Sequence, residues 1–118
     1  MEENNLALTN FDTFMKVDIR VGKVVRVEPY PEATKPAFKL WINFGPDLGE
    51  RKSSAQITKH YSPEMLVGRQ ILAVINLAPK QIGKFVSEVL VLGVPGKEGD
   101  GIILVEPESE ALLGGRVH

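Results

Sequence analysis

The sequence predicts an all-β protein, a five-stranded barrel with one short helix between the third and fourth strands and small terminal extensions. Short apolar–polar alternations of period two recur along the chain, and 11 glycines and 8 prolines separate them. No segment carries the longer periodicity of an extended helix. The length of 118 residues fits one domain. We expect that domain to span residues 11–118, behind an N-terminal tail of residues 1–10.

The first element is a short helix, and a long strand follows it. Thr9 followed by Asp12 resembles a helix start, which predicts one or two turns over residues 11–16. From residue 17 the period changes to two, and Gly22 suggests a bulge or sharp bend within the strand. The side chains expected to face inward are Val17, Ile19, Val21, Val25 and Val27.

The second and third strands are predicted on either side of a turn at residues 45–49. In the second strand, Phe38 and the apolar residues at every second position after it face inward, whereas Trp41 falls on the outward face. The chain should return as a third strand over residues 51–57.

The remaining elements alternate between strong boundary signals. Ser62 and Pro63 begin a short helix that Gly68 ends. A fourth strand over residues 70–77 and a fifth over residues 85–94 follow, with a sixth segment at residues 102–106. The order β-β-β-α-β-β is that of the oligonucleotide/oligosaccharide-binding (OB) fold, with another small barrel or a sandwich as the alternative.

Catalysis has little support in the residue inventory. The chain has no cysteine, which excludes disulfides, cysteine-ligated metal and a thiol nucleophile. His60 and Glu64 have helical i, i+4 spacing, but Pro63 lies between them and a third metal ligand is missing. No nucleophile elbow, zinc-protease motif or phosphate-binding loop is present. We therefore expect a binding protein with no catalytic site, no metal and no cofactor. No apolar run is long enough to insert into a membrane.

The charge is unevenly distributed, although the formal net charge is only -1. Residues 1–50 carry -2 and residues 85–118 carry -4, whereas residues 51–84 carry +5. A basic segment of this kind is typical of a surface that binds nucleic acid. Its cations are Arg51, Lys52, Lys59, Arg69, Lys80 and Lys84.

Two sets of binding residues follow from this pattern. The third strand places Arg51 and Lys52 beside the hydroxyls of Ser53 and Ser54, where they could contact phosphate and sugar, and Lys80 and Lys84 flank the next loop. The alternative is that each is an ordinary solvated side chain. Trp41 lies outside the basic segment, which favours a peptide or subunit interface over base stacking. Phe85 fits either stacking or a core strand equally well.

Several separate segments resemble the structure-specific tRNA-binding domain family. With Tyr61, they are residues 18–22 (DIRVG), 53–57 (SSAQI), 66–69 (LVGR), 74–82 (VINLAPKQI) and 87–93 (SEVLVLG). The resemblance covers about residues 11–117, nearly the whole chain. Within the family, residues 53–58 and 87–93 are most similar to members that act as export-related chaperones.

The resemblance implies an OB-fold homodimer in the cytoplasm, whose C-terminal residues 112–117 could pack across the two-fold axis. It also implies two activities: binding tRNA by shape, and holding unfolded or precursor polypeptides for the secretion machinery. The family's nucleic-acid segment falls on Asn76, Pro79, Lys80 and Ile82, and its serine of the next strand falls on Ser87.

The two activities can be ranked from the sequence. Because the total charge is low for a dedicated nucleic-acid protein, an ATP-independent chaperone with tRNA-binding capacity ranks first. The alternative is a tRNA-binding protein that acts in trans with tRNA or its synthetases. The polypeptide-binding candidates are Phe38, Trp41 and Phe85.

Overall fold

The computed structural model describes residues 6–118, and its elements are those of a small barrel. Within residues 6–118, two helices of four residues, α1 and α2, accompany nine strands, most of them short. In chain order the elements are α1 (Phe11–Phe14), β1 (Ile19–Pro29), β2 (Phe38–Asn43), β3 (Glu50–Ala55), α2 (Pro63–Leu66), β4 (Gln70–Val74), β5 (Lys80–Ile82), β6 (Phe85–Ser87), β7 (Leu90–Val91), β8 (Gly93–Pro95) and β9 (Ile102–Leu104).

The main sheet is antiparallel and has five strands in the order β3-β2-β1-β4-β7. It curls until β3 meets the segment joining β6 to β7, where Glu88 N–H donates to the Lys52 carbonyl over 2.8 Å. The Ser54 N–H donates to Ser87 Oγ over 3.0 Å at the same seam. The result is the predicted nearly closed five-stranded barrel of the OB type, with α2 between β3 and β4.

The barrel interior is apolar and follows the predicted phase of β2. Leu40 and Ile42 are fully buried, and Phe38 is buried beside them. Other core side chains come from β1, β4, α2, β9 and the connecting segments: Val24, Phe44, Ile57, Leu66, Ile71, Ala73, Val89 and Leu104. Gly22 is needed for packing, because a Cβ there would lie 2.5 Å from Ile42 Cγ2.

The predicted inward facing of the first strand is wrong at Val17 and Val25, which are exposed, whereas Val27 packs against the core as predicted. The register shifts between Val24 and Arg26, so the bulge lies at Val25 and not at Gly22. Val24 is therefore fully buried, whereas Val25 is 40% exposed. A bulge inserts one residue and reverses the faces of those that follow it. This change places Arg26 opposite Trp41.

The predicted fifth strand is divided into three. Residues 85–95 contain β6, β7 and β8, and β6 pairs with β5, a strand that lies in the predicted loop before residue 85. Strand β4 ends at Val74, earlier than predicted. The predicted sixth segment is β9, paired with β8.

The C-terminal segment lies against β1. Val117 N–H donates to the Ile19 carbonyl over 2.9 Å, and Val21 N–H donates to Gly115 over 3.0 Å. The C-terminal segment thus covers a free edge of β1 within the same chain. Asn10, and not Thr9, caps α1, accepting from Thr13 N–H over 2.8 Å. The first five residues of the predicted tail lie outside the described residues.

Candidate nucleic-acid interface

Three aromatic side chains from different elements meet on the outside of the barrel. Trp41 of β2 contacts Phe85 of β6 edge-to-face, with 5.9 Å between ring centroids. Tyr30, after β1, packs on the other side of Phe85 at 5.8 Å. Such pairs contribute about 0.5–1.5 kcal/mol beyond their buried area, so they fix the β5–β6 hairpin against β2.

Cations lie over these rings. The Lys52 ammonium is 5.1 Å from the Phe85 centroid, and that of Lys39 is 5.7 Å from the same ring and 5.2 Å from Tyr30. These distances are within the range of cation–π attraction. We use the name aromatic–cation face for the set Arg26, Tyr30, Lys39, Trp41, Lys52 and Phe85.

Arg26 covers Trp41, with the guanidinium carbon 4.2 Å from the ring centroid. Its Nε donates to Glu28 Oε2 over 2.9 Å, and its Nη2 donates to the same oxygen. The hydrogen bond from Arg26 lowers the pKa of Glu28, and the positive charge of Lys39, 3.7 Å from Glu28 Oε1, acts in the same direction. Glu28 therefore stays ionised and holds the guanidinium in place.

A hydroxyl seam joins β3 to β6 beside this face. Ser87 Oγ accepts from Ser54 N–H and lies 3.4 Å from Ser53 Oγ. Ser53 is only 1% exposed, so the predicted contact between its hydroxyl and a ligand is sterically blocked. Ser54 and Ser87 are partly exposed and remain available.

A groove of about 810 Å³ opens next to the seam. Lys80, Ser54 and Ser87 line its polar side. Its apolar side includes Ile57, Leu77, Ile82, Val89 and Leu90. The groove thus combines hydrogen-bonding and cationic groups with an apolar wall.

Tyr30 positions the hairpin that carries the two predicted lysines. Its hydroxyl donates to the Ile82 carbonyl. Gly83 turns with φ +61°, and a Cβ there would lie 2.6 Å from the Tyr30 hydroxyl oxygen. Glycine is required at this turn, and Lys84 beside it is held at the exposed tip, whereas Lys80 stands opposite Ser87.

The cations of the basic segment, residues 51–84, differ in whether they are paired with a carboxylate. Lys59 pairs with Asp100 at 3.3 Å, and Arg69 pairs with Glu106 at 3.1 Å. Among residues 6–118, neither Lys80 nor Lys84 has an ion-pair partner. The acidic C-terminal residues gather in a separate cleft of about 420 Å³ lined by Lys23, Gln70, Glu106, Glu108 and Glu110.

Three predicted binding residues lie away from this surface or point elsewhere. Phe38 belongs to the barrel core, and Arg51 donates from Nε to the Leu48 carbonyl over 3.3 Å. Asn76 accepts from Asp18 N–H over 2.9 Å and donates to the Lys16 carbonyl over 2.7 Å. Both ends of the Asn76 amide are therefore engaged within the protein.

Asn76 belongs to a polar cluster that we name the terminal junction, together with Asp18, Arg20 and Arg116. Arg20 donates from Nε to Asp18 Oδ1 over 2.6 Å and from Nη1 to the Gly114 carbonyl over 2.9 Å. Arg116 lies 3.4 Å from Asp18 and donates to the Met15 carbonyl. This junction joins the C-terminal segment and residues 15–18 to β1 and to the residues after β4.

The sequence analysis missed Arg26, Lys39 and Tyr30. Lys39 shares the outward phase of Trp41 and could have been found from that alternation. Arg26 has the outward phase that the alternation of β1 predicts, but its place opposite Trp41 depends on the register between β1 and β2, which the bulge at Val25 shifts. Tyr30 lies outside every predicted strand, and its burial comes from tertiary packing against the β5–β6 hairpin.

Two other features concern the predicted absences. Both helices of residues 6–118 have only four residues, and neither is long and apolar enough to cross a membrane. No cluster of three metal-ligating side chains occurs in the described part of the chain. His60 Nε2 lies 3.0 Å from the Asp100 carbonyl oxygen.

Comparison with known proteins identifies the family. Residues 19–116 match the family model described as "Putative tRNA binding domain". The chain belongs to this family of binding domains. It is 40% identical over 111 residues to the methionine–tRNA ligase of Chlorobium phaeovibrioides. The matched region covers 94% of this chain but only 15% of that ligase.

Two solved structures resemble the whole barrel. The chaperone CsaA of Bacillus anthracis str. Ames is 46% identical, with a TM-score of 0.86, covering 95% of this chain and 100% of that one. The CsaA chaperone protein of Picrophilus torridus is 44% identical, with a TM-score of 0.86, covering 94% and 100%.

Proposed function

We propose that this chain binds tRNA on the aromatic–cation face and the adjoining β5–β6 hairpin. The observation that carries the proposal is the convergence of Lys52, Lys80 and Lys84 on one side of the barrel with two serines and an aromatic cluster. Cations supply phosphate contacts, and hydroxyls can reach sugars or bases. The family match and the similarity to part of a tRNA ligase support it.

The position of Trp41 reverses the ranking drawn from the sequence. Trp41 was assigned to peptide binding because it lies outside the basic segment. In the fold it stands opposite Lys52 on β3 and opposite Arg26 on β1. We therefore place it in the nucleic-acid surface, and tRNA binding becomes the first proposal.

The test is the salt dependence of tRNA binding. The triple variant Lys52→Gln, Lys80→Gln and Lys84→Gln should bind more weakly, and the slope of log affinity against log salt should fall by about 0.7–0.9 per lost phosphate contact. Fluorescence anisotropy with labelled tRNA measures both quantities.

A charge-matched control separates a site from general attraction. The exposed lysines Lys16, Lys23 and Lys97 lie on other elements, and their triple replacement by glutamine removes the same charge. We expect that control to retain most of the affinity. Equal losses in both triple variants would reject a localised site.

Polypeptide holding is the second candidate, and the apolar side of the groove favours it. Unfolded chains expose apolar side chains, which a groove lined by Leu77, Ile82 and Leu90 can bury without ATP. The two CsaA neighbours support the same reading. On this proposal the chain is a cytoplasmic binding protein, not an enzyme, that holds precursor polypeptides for the secretion machinery.

Aggregation of a denatured client tests this second function. Leu90 lines the groove and is 51% exposed, whereas Val94 is 49% exposed and lies outside the lining. Leu90→Gln should reduce suppression of aggregation several-fold, and Val94→Gln should not. A wild-type protein without suppression would exclude the chaperone function.

We also propose that the chain forms a homodimer. The N-terminal segment leaves Leu8 95% exposed and Phe11 64% exposed, and Leu112 near the other terminus is 81% exposed. A two-fold axis would bury these side chains against their copies. Light scattering should give twice the mass of one chain, and Leu8→Ser with Phe11→Ser should lower it. A monomeric wild type at micromolar concentration would contradict the proposal.

A further inference from the structure

We propose that the outer face of the Arg26 guanidinium is a stacking site for one unpaired nucleobase. The inference deepens the tRNA-binding function proposed above and rests on it. It names what that surface recognises besides phosphate charge: a base displaced from a helix or located in a loop.

The first argument is the geometry of the cation. The guanidinium carbon lies 4.2 Å from the Trp41 centroid, so one face of the group is covered by the indole. The Arg26 side chain is nonetheless 59% exposed. Arginine is planar, and bases stack on guanidinium planes as they do on aromatic rings. The platform is a layered one, with Trp41 beneath and the ligand above.

One hydrogen-bonding edge of the guanidinium, the edge formed by Nε and Nη2, is already occupied. Nε and Nη2 both donate to Glu28 Oε2. Bidentate phosphate recognition needs two N–H groups of one edge of the fork, and the ionised Glu28 repels a phosphate at that edge. The outer face of Arg26 and its Nη1 side stay open, and the ionised Glu28 beside them makes the site fit a planar neutral ring better than an anion.

The third argument concerns the neighbours of the platform. Lys52 stands on the far side of Trp41 in register, two strand spacings or about 10 Å from Arg26 along the sheet. Its ammonium can reach a phosphate flanking a base stacked on Arg26. A neutral aromatic side chain of a polypeptide would gain nothing from Lys52, so the charge pattern favours a nucleotide over a peptide.

NMR spectroscopy observes the contact directly. In the ¹⁵N-labelled protein, a short single-stranded oligoadenylate should move the Arg26 Nε–H signal upfield through the ring current of adenine. An abasic oligomer of equal charge and a blunt RNA duplex should leave that signal in place, although both can bind the lysines.

A charge-conserving variant gives the thermodynamic counterpart. Arg26→Lys keeps the charge and removes the plane, so oligoadenylate should bind about tenfold more weakly with an unchanged salt slope. Arg51→Lys is the matched control, because the Arg51 Nε is bonded to the Leu48 carbonyl. Both variants are first checked for wild-type unfolding transitions.

Three outcomes would overturn the inference: wild-type affinity in Arg26→Lys, an equal Arg26 shift with the abasic oligomer, or a shift produced by an aromatic peptide but not by oligoadenylate. If tRNA binds with the lysine-dependent salt slope but oligoadenylate does not shift the Arg26 Nε–H signal, the stacking inference alone fails. If wild-type protein does not bind tRNA at all, the proposed function fails with it.

Discussion

The polar groups of the terminal junction and the cations of the β5–β6 hairpin beside the aromatic–cation face are in opposite bonding states. At the junction, both ends of the Asn76 amide and both carboxylate oxygens of Asp18 are hydrogen-bonded within the protein. On the face and its hairpin, the ammonium groups of Lys80 and Lys84 lack ion-pair partners among residues 6–118. One region uses its polar groups to hold the fold, and the other leaves them for a ligand.

This contrast separates stability from binding. Groups engaged within the protein contribute to the free energy of unfolding, and their removal leaves partners unsatisfied. Solvated lysines contribute little to stability but attract phosphate. Substitutions in the two regions should therefore change different measurements.

The largest stability effect is expected at Asp18. Its carboxylate, 19% exposed, accepts from Arg20 and lies beside Arg116. Because hydrogen bonds to charged groups contribute about 1.5–3 kcal/mol, Asp18→Ala should lower the free energy of unfolding by about 2 kcal/mol. Urea denaturation measures this loss, and tRNA affinity should stay within about twofold of wild type under conditions where both are folded. An affinity loss larger than the stability loss would break the distinction between the regions.

The Asp18 carboxylate should also make the free energy of unfolding depend on pH in the acid range. The hydrogen bond from Arg20 holds the pKa of Asp18 below its ordinary value of 3.8, and the charges of Arg20 and Arg116 add to the effect. A pKa lower in the folded than in the unfolded state stabilises the fold above the ordinary value, and this stability is lost as the pH falls through the folded pKa. Asp18→Asn should therefore destabilise the protein at pH 7 but much less at pH 3. A constant difference between these two pH values would contradict the assignment.

Asn76 gives a smaller effect and the sharper test of the comparison. Asn76→Ala removes one acceptor and one donor that join β4 to the segment before β1. We expect a loss of about 1–2 kcal/mol in unfolding free energy, since each bond contributes about 0.5–1.5 kcal/mol. The salt slope of tRNA binding should not change. A lower affinity with unchanged stability would return Asn76 to the ligand-binding surface, where the family resemblance placed it.

Asn76 and Arg26 show how far the sequence could lead. Alternation and boundary residues predicted the barrel, the helix at Ser62 and Pro63, and the exposed side of β2, because these depend on local periodicity. The bonding state of Asn76 depends on Lys16, 60 positions away, and is not visible in residue type. Arg26 faces outward as period-two patterning predicts, but its partner Trp41 is set by the register shift at Val25, which patterning within one strand does not show.

Charge summed along the chain has the same limit. The basic segment and its overlap with the family motifs predicted that Lys52, Lys80 and Lys84 share one surface. The β5–β6 hairpin brings Lys80 and Lys84 near each other, and Lys52 of β3 lies over Phe85 of the same hairpin. The same sum counted Lys59 and Arg69 equally, although tertiary contacts pair them with Asp100 and Glu106. Ser53 was counted with Ser54, and only the closed barrel shows that one of the two hydroxyls is buried.

Lys84 should show the smallest effect on stability and a modest one on binding. It lies at the exposed tip of the β5–β6 hairpin, so Lys84→Gln should change the unfolding free energy by less than about 0.5 kcal/mol. If its ammonium contacts one phosphate, the salt slope falls by about 0.7–0.9, and the affinity loss is greatest at low salt because screening weakens the contact at higher salt.

Gly83→Ala provides the complementary change: a Cβ at φ +61° against Tyr30 displaces the tip while keeping every charge. If the salt slope of tRNA binding falls in Lys84→Gln but not in Gly83→Ala, Lys84 acts through its charge. If the salt slope is the same in Lys84→Gln and wild type, Lys84 does not belong to the binding surface. Because Tyr30 and the turn at Gly83 help to position Lys84, this pair of variants shows whether the hairpin lysines must be held in place to bind or need only their charge.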